Sequence, residues 1–354
     1  MLTAVATVIV LFATCSYSIY FHHNYFSQSK WDEINAAILC WAREGEWRTD
    51  SRQAHRLYSC VDEISNHSAV CRIHMNSTQY HWHVPKMKCK DPLVNLNATK
   101  FYEILNGDEV MFVGDSMTRH FYSSFHHVMN PEPQLPENNR CHFHSVVNFK
   151  TTSSTPQYSF ESTVIENDWL TLVSGEMDES APNMKAKNYD WVTSFSQSNV
   201  SLLVMNRGAH YQNDTEYLQQ INETLAFVTS RFPRCSVVYR STPPGHRDCH
   251  NYENAPPLND YYLDDPNFRT IYNYDKFEAQ NTVVRSFLQS RYPSVLYLDV
   301  FRPTSLRADA HMGGGDCLHY CAPGPVDTWT VLLYNALSLA RSLGEPDAAG
   351  GRRK

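Results

Sequence analysis

The chain has 354 residues, 42% of them hydrophobic and 19% charged, which is ordinary for a globular protein and enough for one large domain or a catalytic domain with a smaller attachment. The formal net charge of -7 and the absence of a basic stripe argue against a nucleic-acid partner.

In chain order, the first signal is apolar. Leu2 to Phe21 carries no charged residue, and a helix of that length spans a bilayer core of about 30 Å. Residues 1–21 therefore read as a membrane or secretory segment. The run is longer than a typical signal-peptide core and has no Lys or Arg before Lys30. An uncleaved signal anchor is the preferred reading and a cleaved signal peptide the alternative. Residues 22–37 read as a stem. Residues 38–105 are rich in Cys, Trp and His with few long apolar runs, the composition of a disulfide-stapled, loop-rich module.

From residue 106 the pattern changes. Val110–Val113, Ser201–Met205, Cys235–Tyr239 and Val295–Val300 are short, continuously apolar runs bounded by turn residues. Such runs suit strands covered on both faces. Helix-compatible stretches, Glu216–Ser230 and Phe277–Gln289, separate them, and Val331–Leu343 reads as a closing helix. Strand–helix alternation predicts an α/β domain over 106–345 with a mostly parallel sheet between helix layers. Residues 131–160 read as a polar surface excursion and 346–354 as a disordered tail.

Cysteines and sequons agree with a lumenal or extracellular setting. Outside the apolar segment lie Cys40, Cys60, Cys71, Cys89, Cys141, Cys235, Cys249, Cys317 and Cys321. None forms a paired zinc-type spacing, so no metal is expected, and four disulfides with one free thiol fit better. Cys235, beside a strand, is the choice for the free thiol. Asn66, Asn76, Asn97, Asn199, Asn213 and Asn222 open Asn-x-Ser/Thr sequons.

The chemistry sits at two places. Gly114-Asp115-Ser116 follows the first apolar run, where Gly114 permits a tight strand-to-helix turn and Ser116 can be presented at the carboxyl edge of a parallel sheet. Asp316-Cys317-Leu318-His319 comes two hundred residues later. His319 suits a general base and Asp316 the carboxylate that orients it. Taken singly, Asp115 or Ser116 also suits a helix cap, and Asp316 and His319 a turn. Together they supply the parts of a serine acyl-transfer site. Trp82, Trp191 and Trp329 can stack on sugar rings, with core packing the commoner role for each.

Val113–Arg119 resembles the nucleophile block of the trichome birefringence-like (PC-esterase) family of polysaccharide O-acetyltransferases. Asp316–Trp329 resembles that family's C-terminal Asp-Cys-x-His-Trp-Cys-x-Pro-Gly-x-x-Asp-Thr-Trp signature. Asn206–His210 and Arg240–His246 are similar to two internal blocks, and Cys40, Trp47, Cys60, Trp82 and Cys89 to the Cys-rich N-terminal domain. The resemblance implies a three-layer α/β/α SGNH-hydrolase-like sandwich and a Golgi membrane anchor, single-pass and type II, with a secreted form as alternative. It implies a double displacement through acetyl-Ser116 on a glycan acceptor, with no bound cofactor. The acetyl donor, acetyl-CoA or an acetylated intermediate, is then a co-substrate. It places Gly114, Asp115, Arg119, Asn206 and Gly208 in the oxyanion and substrate site. It also implies that Cys71 or a neighbour ties the N-terminal module to the loop bearing Cys317 and Cys321. Thr118 and His120 depart from the family's asparagines around Arg119, which suggests a distant branch. The same triad using water would make an esterase, and a lectin-like protein with a dead site is disfavoured by the intact triad residues.

Overall fold

The apolar runs become the middle of a sheet because both of its faces are covered. The computed structural model describes residues 26–49, 80–129, 148–155, 157–178, 185–210, 213–253, 255–261, 274–313, 316–321 and 324–344. In chain order, α1 (Gln28–Arg43), β1 (Glu46–Thr49), β2 (Tyr80–His83) and α2 (Ala98–Ile104) precede the domain. Its first half contains β3 (Glu109–Gly114), α3 (Ser116–Met129), β4 (Asn148–Ser154), β5 (Ser159–Glu166), β6 (Gly175–Asp178), β7 (Lys185–Asn188) and α4 (Trp191–Gln197). Then follow β8 (Leu202–Met205), α5 (Asp214–Arg231), β9 (Ser236–Arg240), α6 (Phe277–Arg291) and β10 (Leu296–Leu298). The last elements are α7 (Phe301–Ser305), β11 (His311–Gly313), β12 (Asp316–Tyr320) and α8 (Pro325–Gly344).

The main sheet has the order β10-β9-β8-β3-β5-β4. All neighbours are parallel except β4, which runs antiparallel to β5. Alternate strand residues serve opposite layers. Val110, Phe112, Leu202 and Val204 pack with α1, α3 and α8 through Ile38, Phe121, Phe125 and Leu332. Met111, Val113, Leu203 and Met205 pack with α4, α5 and α6 through Trp191, Ile221, Leu225 and Leu288. Each such aliphatic side chain contributes about 1.5–3 kcal/mol by leaving water. This is the expected three-layer sandwich with a mostly parallel sheet.

Residues 28–37, read from the sequence as stem, lie in α1, which buries Trp31, Ile34, Ala37, Ile38 and Trp41 on one stripe. The helix also covers the edge strand β10. Asn35 accepts from the Tyr297 amide at 2.8 Å and donates to Val295 O at 3.4 Å. The Cys40–Cys89 disulfide and the Trp41 Nε1 bond to Asp91 O, at 2.7 Å, tie α1 to the segment after β2. The antiparallel β1–β2 pair grips a buried arginine. The Arg307 guanidinium lies 4.5 Å from the Trp47 ring and 5.1 Å from that of Tyr80.

The polar stretch 131–160 is not wholly a surface excursion, because β4 and the start of β5 occupy its last third. Strand β5 hides from a hydrophobic scan since Ser162 and Thr163 are buried within it. Ser162 is satisfied there, with His126 Nε2 at 2.8 Å and the Tyr122 hydroxyl at 3.3 Å. The apolar segment 1–21, Cys60, Cys71, Cys141, Asn66, Asn76 and the tail 346–354 lie outside the described residues. Among the described residues no helix is long and apolar enough to cross a membrane.

Candidate active site

The strand β3 delivers Ser116 to the sheet's carboxyl edge through a turn too tight for a side chain at Gly114. A Cβ there would sit 2.8 Å from Asn206 O and would overlap the Thr118 hydroxyl. Asp115, fully buried, then caps α3. Its Oδ1 accepts from the Met117 amide at 3.0 Å and from that of Thr118 at 3.3 Å, while Oδ2 accepts from Ala209 N at 3.3 Å. Capping is therefore done by the aspartate, and the Ser116 hydroxyl is left for other work. As the first helical residue, Ser116 has no intrahelical acceptor for its own amide, at the positive end of the helix dipole.

Strand β12 brings the other half. His319 Nε2 lies 2.7 Å from Ser116 Oγ, although the two are 203 residues apart. His319 Nδ1 lies 2.8 Å from Asp316 Oδ2, and Asp316 Oδ1 accepts from the amides of Leu318 at 3.1 Å and His319 at 3.0 Å. Burial raises the Asp316 carboxyl, but the His319 hydrogen bond and charge and these two amides outweigh it and hold it below the usual carboxylate range. An ionised Asp316 keeps the proton on His319 Nδ1 and leaves Nε2 as the acceptor toward Ser116.

Strand β12 is fastened by the Cys249–Cys317 disulfide. Cys317 is thus bonded to the turn after β9, not to the N-terminal module, because Cys249 stands beside it with a Cα separation of 5.5 Å. Cys321 is also in a disulfide. Among the described residues the free cysteine is Cys235, whose thiol burial pushes well up.

Sequence reasoning gave no role to the group under the nucleophile. Arg240, fully buried, reaches Thr118 Oγ1 at 3.2 Å and Asp115 Oδ1 at 3.6 Å, with its guanidinium 4.9 Å from the Trp329 ring. Burial lowers Arg240 to about 10, with the Asp115 carboxylate pulling it back up. Asp115 and Arg240 together lock the turn that aims Ser116. His120, one turn along α3, lays its ring against His319 with centroids 4.9 Å apart. The signal for both was present as chemistry-bearing residues inside motif blocks, but their partners were far away in sequence.

The remaining expected residues take varied places. Arg119 Nε lies 3.4 Å from Glu166 Oε2 at the end of β5. Asn206 is fully buried, and its Nδ2 donates to Arg240 O at 2.8 Å and Thr242 Oγ1 at 3.4 Å, so both amide protons are engaged. Gly208 is packed so closely that a Cβ would overlap the Thr242 side chain. Asp168, raised to about 7 by burial against the pull of His210, faces His210 Nε2 at 3.6 Å on the loop after β5. Trp82, Trp191 and Trp329 are buried and cannot be sugar platforms. Asn97, Asn199 and Asn213 are exposed, whereas Asn222 is half-buried on α5 with its Oδ1 accepting from the Tyr292 hydroxyl at 2.9 Å.

A model of the PC-Esterase family, described as a GDSL/SGNH-like acyl-esterase family found in Pmr5 and Cas1p, matches residues 93–226 and 217–336. The chain belongs to this family. Protein trichome birefringence-like 1 of Arabidopsis thaliana is 24% identical over 386 residues, covering 91% of this chain and 64% of that protein. The chain thus spans less than two thirds of that relative. Xylan O-acetyltransferase 2 of Oryza sativa subsp. japonica is 22% identical over 375 residues, covering 90% of this chain and 72% of that protein. The likeness to trichome birefringence-like proteins is real and distant. A solved structure of a Salmonella ser. Paratyphi A lipopolysaccharide acetyltransferase periplasmic domain aligns with a TM-score of 0.41 and 10% identity, covering 79% of this chain and 98% of that one.

Proposed function

We propose that this PC-esterase is a glycan O-acetyltransferase working by double displacement at Ser116. The observation that carries the reading is the continuous Asp316–His319–Ser116 contact, 2.8 Å and then 2.7 Å, at the carboxyl end of β3. In the first half-reaction Ser116 Oγ attacks the acetyl carbonyl while its proton passes to His319 Nε2. The donor's leaving group departs with that proton, giving acetyl-Ser116. In the second, a sugar hydroxyl gives its proton to His319 and attacks the acetyl carbon, and the proton returns to Ser116 as the ester bond breaks. The Ser116 amide at the start of α3 is the first donor to the oxyanion. The donor is acetyl-CoA or an acetylated intermediate. The relative named xylan O-acetyltransferase 2 supports a polysaccharide acceptor. The segment Leu2–Phe21 and the sequons support a membrane-anchored protein with a lumenal site, and the family resemblance points to the Golgi and a single-pass type II orientation.

The family description as an acyl-esterase supports a second reading, in which water replaces the sugar. The experiment is to incubate the chain from residue 26 onward with a labelled acetyl donor and a panel of glycans. Labelled glycan supports transfer. Free acetate with no acceptor labelled supports hydrolysis. Undiminished turnover by Ser116→Ala rejects both.

A further inference from the structure

Behind the triad two more histidines meet. His246, in the loop after β9, and His311, which opens β11, are both buried, and His246 Nδ1 lies 2.7 Å from His311 Nε2. Each outer nitrogen faces a backbone carbonyl. His246 Nε2 is 2.7 Å from Ser305 O, and His311 Nδ1 is 3.0 Å from the carbonyl oxygen of His319 itself. A carbonyl only accepts, so each outer nitrogen carries a proton. A neutral imidazole has one N–H and one lone pair. Two neutral rings would therefore turn lone pair against lone pair across the 2.7 Å contact. Three hydrogen bonds need three protons, and two neutral rings hold two. Tyr320 does not fill the gap, because its hydroxyl donates to Pro244 O at 2.7 Å and only its oxygen faces His246 Nδ1, at 3.3 Å.

We propose that His246 and His311 take up one proton as a unit, and that this uptake completes a buried strut positioning His319 through its backbone carbonyl. The strut's catalytic consequence rests on His319 being the base. Its proton count does not.

The charged groups facing the pair are few. Burial lowers His246 to about 4, opposed by the Ser305 carbonyl and by Asp309. Burial lowers His311 as well, joined by His246 and His319 and opposed by the His319 carbonyl and Asp316. Asp309 is already matched by Arg307, with two contacts of 2.9 Å. Asp316 remains a carboxylate and favours a positive charge on the pair. A single ring in this interior would stay neutral over most of the pH range. A proton placed between two nitrogens is held by a charge-assisted bond, about twice as strong as a neutral one. The strut is therefore complete below the pair's own titration and lacks one bond above it.

Two variants separate the proton from the contact. In His246→Asn the amide N–H donates to His311 Nε2, so the contact forms with no extra proton. In His246→Leu it is lost. The readouts are side-chain 15N spectra of histidine-labelled protein from about pH 4 to about pH 9, and acetyl release from p-nitrophenyl acetate over the same range. The spectra are expected to show one proton taken up by the two rings together, at a pH above that of His311 in His246→Leu. His246→Leu is expected to lower kcat about tenfold to a hundredfold with KM unchanged. The kcat ratio of His246→Asn to wild type is expected to rise with pH across the pair's titration. Independent titration of the two rings, or no shared proton, overturns the proposal, as does a pH-invariant ratio. If the ester probe is not turned over, the triad reading fails while the spectra still decide the proton count.

Discussion

Replacing Asp316 with asparagine tests the triad at its most specific point. Asp316 uses both oxygens: Oδ1 accepts from two amides, and Oδ2 accepts from His319 Nδ1. An asparagine oxygen can keep the two amide bonds, which leaves the turn intact. Its NH2 then faces His319 Nδ1 and donates to it. The ring must adopt the other tautomer, and Nε2–H points at Ser116 Oγ, 2.7 Å away, unable to take its proton. The opposite rotamer sets the NH2 against two amide donors and is worse. The expected loss is about ten-thousandfold in the rate of Ser116 acetylation, or about 5 kcal/mol of barrier. The melting temperature is expected to change little. The assay is the pre-steady-state burst from p-nitrophenyl acetate, with a thermal melt alongside. A burst rate within tenfold of wild type at unchanged stability would refute the argument that Asp316 sets the tautomer. Since the folded carboxyl is held below its unfolded value of about 4, its charge is present above that pH and lost only as pH falls through the folded value. A rate decline between about pH 5 and about pH 7 therefore does not come from Asp316.

Other outcomes follow from the supports. Arg240→Met leaves the buried Asp115 charge without its cation and is expected to cost about 3–5 kcal/mol in urea unfolding, with much of the loss recovered by adding Asp115→Asn; equal losses in both would contradict this. Cys317→Ser opens the 68-residue separation closed by Cys249, and should cost about 4 kcal/mol and slow acetylation together, since the triad's base flanks that bond. Asn35→Ala removes both side-chain bonds to the β10 edge and should cost about 1–3 kcal/mol by chemical denaturation.

Much of this architecture is legible as pattern. Strands β3, β8, β9 and β10 announce themselves because helices cover both sheet faces, so their central residues are apolar. The triad residues were legible because Gly-Asp-Ser and Asp-x-x-His each occupy one short segment. Strand β5 was not, since its buried Ser162 is matched by His126 and Tyr122 on a helix, and no local pattern records that match. Helix α1 carries Trp31, Ile34, Ile38 and Trp41 at helical spacing, a signal present in the sequence but obscured by the Cys- and Trp-rich stretch that follows. The division of labour between Asp115 and Ser116 was likewise hidden. Either residue can cap a helix, and only the positions of Arg240 and Ala209 decide which does.

The 203 residues between Ser116 and His319 also bear on biosynthesis. A growing polypeptide displays the Ser116 hydroxyl long before His319 is made. In the proposed mechanism Ser116 gains its base only once β12 has docked, near the end of the domain. The same late docking leaves any chain that ends before residue 316 without the proposed base.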